Sequence, residues 1–259
     1  MIAVVGVGET KYAKRLDREP GDLAFEAAAA AAADAGVRLT DIDGIIAPYA
    51  DYAGLHALAR ALGVDGHFFS AQSLHAGAGV VSAPILARLA IEAGLATTVL
   101  CVQALDWGSA RRGNVGAPHA AMRMKAMFEV PFGWYPQIVH FAGMARRHME
   151  LYGTTEDQLA AVAIAARKHA SLCDNAILHT PLTLDEYRGL KLIADPFRAA
   201  DCCLVNDGAA AFIMTSVERA GDLRRSAVLV LGAGQGVAKG GEFSTLRPDY
   251  LATAAVQSG

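Results

Sequence analysis

The 259-residue sequence predicts an α/β fold: a βαβ-wound sheet with helices on both faces, carrying a helical insertion. Three observations carry this. Short β-branched runs alternate with alanine-rich helical stretches at the spacing of βαβ units. The stretch after Gly79 is apolar almost all round (Val80, Val81, Ala83, Ile85, Leu86, Leu89, Ile91), as expected of a helix buried between layers. From about Asp106 to Ala200 the pattern turns basic and helical, without the alternation seen on either side.

Each element follows from its own residues. Ile2–Val5 is a β-branched run ended by Gly6 and Gly8, which predicts a buried first strand. Gly21 to Ala35 has helical propensity, with Asp22 early and Gly36 as the stop. A turn at Thr40–Asp43 leads into a strand over Gly44–Ala47. A short helix over Leu55–Leu62 ends at Gly63, and Phe68–Ala71 is the next strand. The small-residue stretch Ser73 to Gly79 opens the apolar helix, which runs from about Val80 to Ala93 and stops at Gly94. Thr97–Gln103 reads as a central parallel strand. Helices over Gln137–Tyr152 and Thr155–Cys173 fill the insertion, and the sheet pattern resumes at Asn206–Thr215 and Ala227–Leu231. The expected boundaries are a core over 1–105, an insertion over 106–200 and a return to the core over 201–249.

Composition excludes several classes. Apolar residues make up 53% and the mean hydropathy is +0.28, enough for a substantial core. A net charge of −3 and a pI near 6.2 argue against nucleic acid as a partner. The alanine run Ala27 to Ala33 is too short to span a bilayer, and the N-terminus goes straight into a strand without a leader pattern. A cytoplasmic location is expected. Cys101, Cys173, Cys202 and Cys203 form no CxxC pair and read as packing in a reducing compartment. No metal is expected: His140 and His148 share a helix face but lack a carboxylate at ligand spacing. Gly6-x-Gly8 lacks the third glycine of a dinucleotide fingerprint, with Lys11 in its place, and reads as a turn. Gly232–Gly236 reads as a tight strand exit.

One element is specific. Asn206-Asp-Gly-Ala-Ala-Ala211 feeds into Phe212-Ile-Met, and it resembles the Asn/Ser-Asp-Gly-Ala-Ala-Ala element of thiolases. The likeness extends to Val4-Val-Gly-Val-Gly-Glu-Thr-Lys-Tyr12, to Ala142-Gly-Met-Ala-Arg-Arg-His-Met-Glu-Leu-Tyr-Gly-Thr154 and to Asp201-Cys-Cys203. Together these motifs resemble the sterol-carrier (SCP-x) branch of the thiolase superfamily along the whole chain. The resemblance implies two similar α/β halves stacked as an αβαβα sandwich. This chain would hold the first half and its loop domain, with 250–259 opening a second half that is absent.

The resemblance also locates the chemistry. Thiolases carry a cysteine nucleophile at the N-terminus of the buried helix, where the dipole lowers its pKa. Sliding that motif onto this chain puts Gly77 at the position, or Ala76 or His75 in a shifted register. No register gives cysteine, so an acyl-thioester intermediate is excluded there. A cysteine-less relative of this branch implies retro-aldol cleavage of a β-hydroxyacyl-CoA, as in steroid side-chain aldolases, with acyl-CoA as substrate and no covalently bound cofactor. Two alternatives stay open: an acyltransferase using groups outside this chain, and a non-catalytic subunit that binds acyl-CoA or lipid. The implied partners are a second copy, paired through Phe68–Leu74, and an OB-fold, zinc-ribbon protein. Arg111, Arg112, Arg123, Arg146 and Arg147 are candidates for the CoA phosphates, or else a solvated basic face. The acid–base candidates are His75, in the loop, and Tyr250, after Arg247-Pro-Asp. Their bland readings are a histidine satisfied by the loop backbone and a tyrosine packed at an interface.

Overall fold

The computed structural model describes residues 1–48, 52–64, 66–73, 79–110, 123–224, 226–236 and 247–255. In chain order its elements are β1 (Ile2–Glu9), α1 (Pro20–Ala35), β2 (Gly44–Ile46), α2 (Tyr52–Ala61), β3 (Phe69–Ala71), α3 (Gly79–Glu92) and β4 (Thr98–Asp106). There follow α4 (Arg123–Phe128), α5 (Gln137–Tyr152), α6 (Glu156–Ala170), α7 (Leu184–Gly189), β5 (Leu192–Ala194), β6 (Phe197–Arg198), β7 (Asp207–Ser216) and β8 (Val228–Leu229). The chain divides into two units, Met1–Ala110 with Asn206–Gln235, and Arg111–Val205 with Gly236–Val256.

The first unit is built on a six-stranded sheet in the order β3-β2-β4-β7-β1-β8. β4 is central, as its apolar run predicts, and lies parallel to β2. On its other side it runs antiparallel to β7, so the sheet is mixed rather than wholly parallel. The reason lies in the insertion. Chain leaves the sheet at Asp106 and re-enters opposite it at Asp207, at the same end, which forces β7 to run back along β4.

Alternate residues of the strands feed two cores. Leu100, Val102, Ala209, Ala211 and Ile213 pack with the alanine face of α1 and with Leu55, Leu58 and Leu62 around α2. Val99, Cys101, Met214 and Ile46 pack with Ala83, Ala87 and Ala90 of α3 on the opposite face. α3 departs from its all-round apolar pattern. Its opposite side is open, with Val81 74% and Leu89 60% exposed.

α1 begins with Pro20 in its first turn and ends at Gly36, whose φ of 75° closes a left-handed cap on Ala32. The alanines let this helix approach β1 very closely. A Cβ on Gly6 would lie 2.4 Å from the Ala31 carbonyl, and one on Gly8 would lie 2.3 Å from that of Ala27. The Gly-x-Gly pair is therefore a packing device inside a strand that continues to Glu9, not the turn that its sequence suggests.

Among its described residues the second unit is helical with one small hairpin, β5–β6. α6 and α7 both start with capping boxes, Thr155 with Gln158 and Thr183 with Glu186. Tyr187 is fully buried and donates its hydroxyl to Asp201 at 2.8 Å, over a core of Ala160 and Ala163. The hairpin, α4 and α7 are short elements without long periodicity, and sequence pattern alone does not mark them.

Candidate functional site

The Asn-Asp-Gly element is an anchor in the first unit. Asp207 is fully buried, and its carboxylate accepts from the backbone of Leu16 at 2.7 Å, Gly108 at 2.7 Å and Ser109 at 3.0 Å. The Ser109 hydroxyl is a fourth donor. Burial pushes this carboxyl up, but the hydrogen bonds from Ser109, Leu16 and Gly108 outweigh it and hold the group below the usual range. Gly208, at φ 156°, leaves room for the Tyr12 ring, which a Cβ would meet at 2.3 Å. Ala209 donates to the Thr10 hydroxyl at 2.9 Å. The motif thus fixes both ends of the insertion to the loop after β1. Its carboxylate is spent on backbone.

The second unit holds the candidate acid–base site. The Tyr250 hydroxyl donates to the main-chain carbonyl of His140, in the first turn of α5, at 3.1 Å. Trp134 presents its indole to both residues: 5.5 Å between centroids to His140, and 6.3 Å edge-on to Tyr250. Gly143, one turn further along α5, faces the phenol. A Cβ there would come within 2.7 Å of the hydroxyl oxygen and 3.2 Å of Trp134. Glu129, 2% exposed, lies behind, with its Oε2 3.8 Å from Nε2 of His140, itself 7% exposed. A phenol oxygen that donates its proton to a carbonyl keeps acceptor capacity of its own.

The other sequence candidates fall variously. Arg146 pairs with Asp195, and Arg147 with Glu150 at 2.8 Å. Both line an open groove with Gly143, Met149 and Glu150, so two of the five arginines flank the glycine that faces Tyr250. Arg123 starts α4, and its side chain lies outside the described residues. So do His75, Gly77, Arg111 and Arg112 entirely. His140 and His148 do not act together: His148 shares a hydrogen bond with Thr154 at 2.8 Å and stacks near Tyr152. Among the described residues no group of three or more His, Cys, Asp or Glu could hold a metal ion. No described helix is long and apolar enough to cross a membrane.

Glu129 and Trp134 escape a motif search, whereas Gly143 lies within the Ala142–Thr154 likeness and His140 is weighed only beside His148. The visible signal is the acid of Met-Phe-Glu-Val-Pro-Phe-Gly-Trp-Tyr-Pro, residues 127–136, set among apolar groups.

No family model matches the chain. It is 35% identical over 244 residues to a 17-hydroxy-3-oxo-4-pregnene-20-carboxyl-CoA lyase of Mycobacterium tuberculosis, covering 90% of this chain and 62% of that one. The solved Ltp2-ChsH2(DUF35) aldolase superposes with a TM-score of 0.87 at 32% identity, over 97% of this chain and 65% of that one. A monomeric SCP2-thiolase-like protein of Mycobacterium smegmatis shares the fold, with a TM-score of 0.75 at 19% identity over 99% of this chain and 55% of that one. The chain spans about three-fifths of the length of the curated relatives that it matches first. With the mixed sheet, the glycine-packed β1 and the Asn-Asp-Gly anchor in place, these likenesses settle the family: the chain belongs to the thiolase superfamily, on its sterol-carrier-protein branch.

Proposed function

We propose that this chain forms part of an acyl-CoA lyase that cleaves a carbon–carbon bond of a β-hydroxyacyl-CoA by retro-aldol chemistry, with Tyr250 as its acid–base group. The observation that carries this is the Tyr250 hydroxyl, held on the His140 carbonyl and confined by Trp134 and Gly143. Tyr250 acts as base after its own proton has left to solvent: the phenolate takes the proton of the substrate's β-hydroxyl as the Cα–Cβ bond breaks, and becomes a phenol again. The bond's electron pair passes into the thioester as an enolate, which hydrogen bonds stabilise until Cα is protonated. The products are a carbonyl compound and a shortened acyl-CoA. The names of the similar lyase and aldolase support this reaction class and a CoA-linked substrate with a bulky apolar acyl group.

Several features accompany the reading. His75 and Gly77 stay candidates for the loop at the family's nucleophile position. Arg146 and Arg147, with Arg111, Arg112 and Arg123, are proposed to meet the CoA phosphates by exchanging their carboxylate partners for phosphate oxygens. A DUF35-type protein is the proposed partner, after the similar complex. β3, at the edge of the sheet, leaves a strand on which a second copy can pair. A cytoplasmic location is proposed with it.

Product analysis tests the reaction. Full-length protein with its partner, given a β-hydroxyacyl-CoA and no free CoA, should yield the carbonyl product and the shortened acyl-CoA. Thiolytic acyl transfer needs free CoA, so turnover that appears only when CoA is added would replace this reading with the acyltransferase one.

A further inference from the structure

The proposed chemistry leaves Glu129 and His140 unused, although they are the buried acid and the buried imidazole of the same cluster. A carboxylate removed from water needs an opposite charge or hydrogen bonds to offset the lost hydration. The imidazole of His140, 3.8 Å away through Nε2, is placed to supply that charge. The backbone of the same histidine holds Tyr250.

We propose that Glu129 and His140 form a buried carboxylate–imidazolium pair that positions the Tyr250 hydroxyl, making both of them positioning residues for the lyase reaction. This inference rests on the reading of Tyr250 as the acid–base group. The pair ties the segment ahead of the Val130–Phe132 turn to the first turn of α5. That turn carries the carbonyl on which the phenol is fixed. Trp134, following the 3-10 turn, lies against both the His140 and the Tyr250 rings, so a shift of the histidine is passed to the tyrosine through the indole as well as the carbonyl. Gly143 closes the far side of the hydroxyl. Two titratable groups among the described residues face His140: Glu129 meets its imidazole from the segment before the 3-10 turn, and Tyr250 meets its backbone from the segment near residue 250. A carboxylate at this distance favours the imidazolium form, whereas a phenol donating to the backbone adds no charge.

Trp134 reports the pair directly, because an imidazolium beside an indole quenches its emission. The emission of the full-length protein less that of its Trp134→Phe variant isolates the Trp134 signal, whatever other tryptophans the protein carries. Emission should fall in one step as pH is lowered through the His140 ionisation. His140→Gln should abolish the step, and Glu129→Gln should move it to lower pH. In single-turnover cleavage by the full-length protein, both variants should slow the chemical step about tenfold to a hundredfold. Substrate binding should stay within about twofold, because neither side chain is proposed to touch substrate.

An unchanged step in either variant overturns the pair. If Tyr250→Phe abolishes cleavage while both variants cleave at the normal rate, the pair does not position the tyrosine, and only this inference falls. If Tyr250→Phe cleaves normally, the acid–base reading falls instead, and the emission titration still decides the pair. Glu129→Gln preserves size and hydrogen-bonding capacity, so its shift decides the matter even where His140→Gln fails to fold.

Discussion

Asp207 and Tyr250 show how differently two polar side chains can be used in one chain. Asp207 turns all its acceptor capacity to backbone and Ser109, so it is an anchor and not a catalytic acid. Because its folded pKa is depressed, it adds stability above the ordinary carboxylate range. That stability is lost as pH falls through the folded value, from about pH 4 downward. Asp207→Asn should lower unfolding stability at neutral pH by roughly 2–3 kcal/mol. It should also flatten the acid limb of a denaturant-midpoint against pH plot, and an unchanged limb would show that the carboxylate is not what titrates. Cysteine chemistry gives a second residue-scale prediction. Cys101 is buried between β4 and α3, where burial pushes its thiol far up, and burial likewise raises Cys202, followed by the charge of Asp201. A reactive acyl-CoA should therefore leave no acyl adduct on Cys101 or Cys202 by peptide mass mapping, whereas a stoichiometric adduct on either would reinstate covalent catalysis.

At the scale of elements, β1 and α1 form the most tightly specified contact. Gly8→Ala drives a Cβ into the Ala27 carbonyl and the Ala31 amide, both backbone atoms that cannot step aside. The expected loss is about 3 kcal/mol in thermal or denaturant unfolding. Gly21→Ala, within α1 and with nothing within 4 Å of the new methyl, should instead stabilise by roughly 0.5–1 kcal/mol. Equal effects at the two sites would mean that helix propensity, not close approach, decides. Most of these elements are legible in the sequence because their punctuation is local: Pro20 and Gly36 bound α1, and Thr155 opens α6 where its capping box does. The direction of β7 is not legible, because it depends on where a remote insertion returns the chain. Nor is the cluster around Tyr250. Its members, residues 129, 134, 140, 143 and 250, are brought together by a fold that no spacing rule encodes. Tyr250 itself was reachable only through the family resemblance.

For the whole molecule, the sheet ends on one side in β3, and α3 turns Val81 and Leu89 outward. Light scattering after size exclusion should give a dimer at micromolar concentration, and a monomer there would contradict pairing through the β3 edge. In the proposed reaction, carbon–carbon cleavage runs without a nucleophilic cysteine and through the Tyr250 hydroxyl. Its most direct test is single-turnover cleavage of a β-hydroxyacyl-CoA by full-length protein with its partner, comparing wild type with Tyr250→Phe. Removing a positioned acid–base group should slow the step by about 10²–10⁴-fold while substrate still binds. A Tyr250→Phe variant that cleaves at close to the wild-type rate would contradict the claim.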